Sequence, residues 1–142
     1  MTLIDYYFQK QKEYSELYGE ETIVLMEVGS FFEMYDLDDV DGKVCKLKDI
    51  CSMLNIHVTR KNSKLSISDK NPYMAGFPNY VMTKFVKILL DNKYTVIIIE
   101  QESHGIKNPE RHVTKILSPG TNIEFQEKNE DKSTLSSIYI EA

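Results

Sequence analysis

The stretch from Gly29 to Tyr35 contains the residues whose types and spacing could do chemistry, an aromatic ring at Phe31 and a carboxylate at Glu33. Its first residue is a glycine, at which a strand can bend or approach another backbone closely. In an extended chain, side chains two residues apart share a face. Phe31 and Glu33 would then project together, and Phe32 and Met34 would face the core. The same pattern also fits a strand end with packed aromatic rings and a solvated Glu.

Other groupings that could bind a metal or catalyse a reaction fail on spacing. The acidic run 36–42 fails as a calcium loop because Val40 stands at the third ligand position, Asp41 stands where the loop requires glycine, and no Glu closes it. Glu100 and Glu102 have no acid–base partner, and neither common phosphate-binding glycine loop occurs. Metal-ligand spacing is absent from the histidines and cysteines, which are His57, His104, His112, Cys45 and Cys51. We therefore predict no catalytic residue, no metal site and no cofactor in this chain.

Length and composition limit the class of protein. With 142 residues and 42% hydrophobic content, the chain can form one globular domain with a proper core. We expect an intracellular protein, because the start of the chain does not resemble a secretory signal, and no membrane association, because no apolar run is long enough to span a membrane. A net charge of −5 argues against a self-sufficient, non-specific DNA-binding protein. Any contact with nucleic acid must therefore be local.

The elements that must position the central stretch alternate between helix and strand. The pattern predicts a helix over 3–18 ended by Gly19, a tyrosine stripe on it that packs against the sheet, and a strand over 22–28. The later elements are predicted as a helix from Asp41 or Gly42 to Leu54, a strand over 56–60, an extended piece over 72–78, a helix capped by Asn79, and strands over 94–99 and 112–117. We expect an α/β fold, in which a mixed β-sheet is flanked by helices in a single compact domain.

Domain boundaries follow from composition near the end of the chain. Residues 1–121 form the predicted domain, and the polar residues 122–134 are predicted to be a linker. Residues 135–142 resume an alternating strand pattern and are interpreted as the first strand of a truncated second domain. The polar loop that begins with Arg60, Lys61 and Lys64 either contacts phosphates or is simply solvated.

Several sequence blocks occur in a specific order along nearly the whole chain: Lys12-Glu13-Tyr14, Val28–Tyr35 (VGSFFEMY), Thr59-Arg60-Lys61, Met74–Pro78 (MAGFP), Glu100-Gln101 and Val113–Thr121 (VTKILSPGT). In this order they resemble the N-terminal domain of the MutS family of DNA mismatch-repair proteins. The chain departs from the family pattern at Tyr73, where the family usually has proline, and at Ile99, where it has a small or thiol residue.

The resemblance implies roles for five residues. Phe31 would be the aromatic that reads a mismatch, and Glu33 its partner. Arg60 and Lys61 match positions near the DNA backbone, and Met74 matches a methionine close to the mismatch. An ionised Glu33 could accept a hydrogen bond from a ring N–H of thymine or guanine, whereas it could bond a purine N7 only when protonated. We state this protonation as a hypothesis.

The resemblance also implies a longer parent protein. In the family, later domains supply a connector, whose first strand would be residues 135–142, together with levers, a DNA clamp and a dimerising ATPase that uses ATP and Mg²⁺. The partner implied is double-stranded DNA with mismatches or small loops, and a dimer is expected only of the full-length protein. The alternative is a scaffold for protein contacts or for other DNA structures. The lysine-heavy composition suits a viral or organellar branch.

Overall fold

The computed structural model describes residues 2–37, 46–60, 62–103, 105 and 107–120. These residues form one mixed α/β domain, as predicted. Its elements are α1 (Leu3–Tyr18), β1 (Thr22–Val28), β2 (Phe31–Asp36), α2 (Leu47–Leu54), β3 (Thr59–Arg60), β4 (Tyr73–Pro78), a 3-10 turn (Asn79–Val81), α3 (Met82–Asp91), β5 (Thr95–Gln101) and β6 (Arg111–Leu117). The predicted linker and the strand over 135–142 lie outside the described residues.

The strands form a six-stranded sheet in the order β3-β4-β2-β1-β5-β6. β1 and β5 run parallel, and the other neighbouring strands are antiparallel. β5 is buried along most of its length, including Ile99, which agrees with the prediction of a strand covered on both faces. Within the described residues, no helix is long and apolar enough to cross a membrane.

Helix α1 lies on one face of the sheet and ends at Gly19, as predicted. Tyr7 is fully buried and donates a hydrogen bond to the carbonyl of Val24. The predicted tyrosine stripe is only partly correct, because Leu17 is 65% exposed and Tyr18 is 48% exposed. These two residues of the last turn therefore face solvent rather than the core.

Helix α2 lies on the opposite face and begins at Leu47, so the predicted start at Asp41 or Gly42 is wrong. The physical reason is that a residue far from the helix in sequence, Asp36, caps its first turn. The Asp36 carboxylate at the end of β2 accepts a hydrogen bond of 3.0 Å from the backbone N–H of Leu47. This bond satisfies an N–H that the first turn of a helix leaves without an intrahelical partner. Residues 38–45 lie outside the described part of the chain.

Helix α3 also lies on this second face, where the rings of Phe85 and Phe77 meet at 4.6 Å between centroids. The prediction that Asn79 caps it is wrong. A 3-10 turn precedes α3, and the Asn79 side chain donates instead to the Glu27 carboxylate at 3.1 Å. The strand predicted over 56–60 is shorter than expected, since only Thr59 and Arg60 pair with β4.

Candidate functional site

The hairpin between β1 and β2 places the aromatic ring of Phe31 at its tip. Val28 and Phe31 are paired residues, so Gly29 and Ser30 form a two-residue turn. Gly29 has φ of 64°, in the left-handed region, and Ser30 does not. This combination is expected of a type II′ turn, whose first central position favours glycine. Phe31 follows directly and is 44% exposed.

The two faces of β2 differ in burial as the sequence predicts. Phe32 is 2% exposed and Met34 is fully buried, on the face that α2 and α3 cover. Phe31 and Glu33 share the other face, where Glu33 is half-buried. Tyr35 also lies on that face but is 2% exposed, because α1 reaches this end of β2 and Tyr7 contacts its ring edge-on at 5.1 Å. Sequence reasoning assigned no role to Tyr35.

Beside Phe31 and Glu33, strand β4 offers a surface with little side-chain bulk. Register pairs Phe31 with Pro78, Glu33 with Gly76, and Tyr35 with Met74. All three β4 residues are half-buried. We call the surface formed by Phe31, Glu33, Met74, Gly76 and Pro78 the open face. The structure therefore brings Met74, a predicted site residue, onto the same face as Phe31 and Glu33.

Gly76 fits its place because the strands approach closely there. A Cβ atom at this position would lie 2.7 Å from the Phe32 carbonyl oxygen and 3.5 Å from Cγ of Glu33. Real Cβ atoms do not approach a backbone oxygen this closely, so a larger residue would separate β4 from β2. Glycine thus leaves room for the Glu33 side chain on the open face.

Glu33 has one protein partner in the described residues. The Tyr35 hydroxyl donates a hydrogen bond to Oε1 of its carboxylate. Burial raises the pKa of Tyr35 well above the ordinary tyrosine value, and the bond to Glu33 raises it further. The hydroxyl therefore stays protonated and acts as the donor. Within the described part of the chain, Oε2 of Glu33 carries no hydrogen bond to the protein.

A cluster of polar residues from β1, β5 and β6 fixes the backbone of the turn, although β5 and β6 are far from the turn in sequence. The Gln101 side chain accepts from the N–H of Gly29 at 2.8 Å and donates to its carbonyl at 3.1 Å. Arg111 donates to Oε1 of Gln101 at 3.1 Å and to the Glu27 carbonyl at 2.7 Å. The buried Glu27 carboxylate accepts from the Gln101 N–H at 3.0 Å. We call Glu27, Gln101 and Arg111 the turn clamp. Sequence reasoning quoted Gln101 only as part of a motif and gave it no role.

The basic loop is not brought to the open face in the same way. Arg60 pairs with Tyr73, which faces Lys48 of α2, so Arg60 belongs to the opposite face of the sheet. Its guanidinium donates to the Ser63 carbonyl at 2.9 Å. Lys61 lies outside the described residues. Tyr73 sits in a regular strand, so its departure from the family pattern does not distort β4 near Met74.

The acidic residues near the end of β5 serve structure or lie on the surface. Glu100 accepts hydrogen bonds from Thr114 at 2.5 Å and from Lys115 at 3.0 Å. Glu102 lies near Glu110 and His112, and all three are exposed. Exposed acidic groups are common without a bound ion, so this grouping alone indicates no function.

Comparison with known proteins identifies the family of the chain. The family described as MutS domain I matches residues 4–126. The chain belongs to the MutS family. A mutS homolog of Acanthamoeba polyphaga mimivirus is 33% identical over 144 residues, covering 98% of this chain and 12% of that protein.

Two further MutS relatives come from a bacterium and from a mitochondrion. The DNA mismatch repair protein MutS of Petrotoga mobilis is 33% identical over 127 residues, covering 86% of this chain and 13% of that protein. A mitochondrial DNA mismatch repair protein mutS homolog of Sarcophyton glaucum is 25% identical over 141 residues, covering 83% of this chain and 14% of its own length. The chain thus spans only a small part of the length of these MutS relatives.

Proposed function

We propose that this MutS-family chain is a DNA mismatch-reading module that inserts Phe31 at a mispaired or unpaired base and places Glu33 against that base. One observation carries the proposal: an exposed aromatic ring stands at the tip of a clamped turn, and a carboxylate shares its face. A large exposed ring contributes little to the core. Because hydrogen bonds nevertheless fix the turn that carries this ring, a partner that receives the ring is the best explanation.

The physics of insertion favours damaged pairing. A phenyl ring that stacks on a base contributes about 1–3 kcal/mol in single-strand binding proteins. Insertion must unstack a base step and kink the duplex, which takes a few kcal/mol. The free energy needed to unstack the step is smallest where the bases are already mispaired. Phe31 would therefore select mismatches through the ease of deforming DNA as well as by direct contact.

Glu33 adds discrimination rather than general affinity. A carboxylate is repelled by phosphates, so it weakens binding to any duplex that offers it no hydrogen bond. A mispaired thymine or guanine offers a ring N–H to the ionised carboxylate. Met74 lies on the open face, diagonally across from Glu33, within the roughly 7–8 Å that separates such neighbours in a sheet. It would contact the DNA beside the inserted ring.

The charge of the chain indicates that most phosphate contacts come from elsewhere. With a net charge of −5, the chain lacks the basic surface typical of duplex binding. We propose that it works within a longer protein whose other domains grip DNA, dimerise and hydrolyse ATP with Mg²⁺. The isolated chain should bind DNA weakly, with a Kd in the non-specific range of roughly 10⁻⁴–10⁻⁶ M at physiological salt.

The test compares mismatch with homoduplex binding by the full-length protein, in wild type and in Phe31→Ala. The matched control is Tyr18→Ala, which removes an aromatic ring of similar exposure, 48%, from the end of α1. Phe31→Ala should abolish selectivity, whereas Tyr18→Ala should keep it. Equal selectivity in Phe31→Ala and wild type would refute mismatch reading and leave a scaffold or a reader of other DNA structures.

A further inference from the structure

The hydrogen bond between Tyr35 and Glu33 gives the carboxylate a fixed direction. Tyr35 is 2% exposed, and its ring is held edge-on against Tyr7 of α1. Its hydroxyl is therefore a rigid donor that the rest of the fold keeps in place. Glu33 is half-buried and can rotate about its side-chain bonds unless something holds it. Because Oε1 is bound by Tyr35, Oε2 is the oxygen left for DNA.

The direction of the carboxylate matters because a carboxylate only accepts hydrogen bonds. It suits a mispaired base that presents a ring N–H, such as thymine or guanine. It does not suit a base that presents only N7 at that point. The direction of the Glu33 carboxylate therefore affects which mismatches are read well.

We propose that Tyr35 is a positioning residue for Glu33, which orients its carboxylate so that Oε2 meets the ring N–H of a mispaired base. This inference rests on the proposed function of Phe31 and Glu33. It extends that function by identifying the residue that sets the direction of the carboxylate. The uncharged ring of Phe31 would insert in the same way with or without Tyr35.

The surroundings of Glu33 make Tyr35 the group best placed for this role. The pair partners of Glu33 are Met26 on β1 and Gly76 on β4, and neither side chain titrates. From α1, the residue that reaches this end of β2 is Tyr7, whose hydroxyl is bound to a backbone carbonyl. From β6, the Arg111 guanidinium acts on Tyr35 only through its charge, since its hydrogen bonds go to Glu27, Pro109 and Gln101.

The first test removes only the hydroxyl, with Tyr35→Phe in the full-length protein. The matched control is Tyr7→Phe, which also deletes one buried hydroxyl but leaves the ring contact and Glu33 unchanged. For a G·T mismatch, Tyr35→Phe should lower affinity about tenfold, as expected for loss of a hydrogen bond to a charged group. Homoduplex affinity should stay within roughly twofold, as should all binding by Tyr7→Phe, because neither change alters phosphate contacts.

A double-mutant cycle separates positioning from general destabilisation. In a Glu33→Ala background, Tyr35→Phe should have no further effect on G·T binding, because the carboxylate that it orients is gone. An equal loss in both backgrounds, or an equal loss in Tyr7→Phe, would overturn the inference. Phe31→Ala distinguishes this outcome from failure of the proposed function, since that variant must lose selectivity whether or not Tyr35 matters.

Discussion

Replacing Gln101 by Leu should loosen the turn that presents Phe31 and should also destabilise the domain. Leucine keeps most of the side-chain volume but cannot form the clamp's hydrogen bonds. The change removes the two bonds to Gly29, at 2.8 and 3.1 Å, and the bond from Arg111 at 3.1 Å. The backbone N–H of Gln101 still donates to Glu27, so strand β5 keeps its own anchor.

The expected loss of stability follows from these three bonds. A neutral hydrogen bond contributes about 0.5–1.5 kcal/mol net, and one to a charged group about 1.5–3 kcal/mol. Water can reach the partly buried Gly29 and replace part of the loss. We therefore expect the free energy of unfolding to fall by about 2–3 kcal/mol. For a chain of this size, that corresponds to a Tm lower by roughly 8–12 °C.

Gln11→Leu is the matched control because Gln11 makes three similar bonds elsewhere. Its amide donates to the Thr22 carbonyl and to Ser15, both at 2.8 Å, and accepts from the Val24 N–H at 2.9 Å. Urea unfolding should show a similar loss of stability in both variants. Amide hydrogen exchange at Gly29 should accelerate only in Gln101→Leu, and mismatch selectivity of the full-length protein should fall only there.

Two results would refute the reasoning about the turn clamp. If Gln101→Leu unfolded at the same urea concentration as wild type, the three hydrogen bonds would contribute nothing measurable. If both variants reduced mismatch selectivity equally, general stability rather than the geometry of the turn would control the presentation of Phe31.

Three further predictions concern other parts of the domain. Gly76→Ala should lower the free energy of unfolding by about 1–3 kcal/mol in urea titrations, because the added Cβ meets the Phe32 carbonyl; an unchanged midpoint would contradict the close approach. Hydrogen bonds from Thr2 lower the pKa of Asp5. The cap of α1 therefore contributes its full stability above the ordinary Asp pKa of 3.8, and this stability is lost as the pH falls through the lowered pKa. Acid unfolding followed by far-UV circular dichroism should be less sensitive to pH in this range in Thr2→Ala, and an unchanged sensitivity would contradict the role of the cap. Burial raises the pKa of Cys51 to about 11. Iodoacetamide at pH 8 should therefore label the peptide that contains Cys51 slowly in the native state and rapidly in urea. Equal labelling rates would argue against a buried thiol.

The sequence predicts those parts of the site that depend on local geometry. The alternation of Phe31 and Glu33 with Phe32 and Met34 follows from the period of two in any strand, and the structure confirms it. The element order is also largely correct, since apolar periodicity determines which residues enter the core. The roles of Phe31 and Glu33 in reading DNA remain predictions.

Features that depend on distant residues are not predictable in this way. Asn79 is a good helix cap by residue type, but the buried Glu27 carboxylate competes for its side chain. Similarly, the start of α2 depends on Asp36, which lies 11 residues before Leu47. Tyr35 has the right spacing to share a face with Glu33, yet its burial requires α1 to lie over that end of β2. Only the assembled sheet shows these contacts.

The turn clamp also has a consequence for the order in which the chain folds. A hairpin can form within microseconds from local contacts alone, but Gly29 is bound by a residue 72 positions further along the chain. β1 and β2 can therefore pair before the tip of the hairpin is rigid. The tip becomes rigid only after β5 has docked against β1 and β6 has brought Arg111 into place. A nascent or partly unfolded chain would carry Phe31 on a loose hairpin, so under the proposed function only a fully folded domain would be competent to probe DNA.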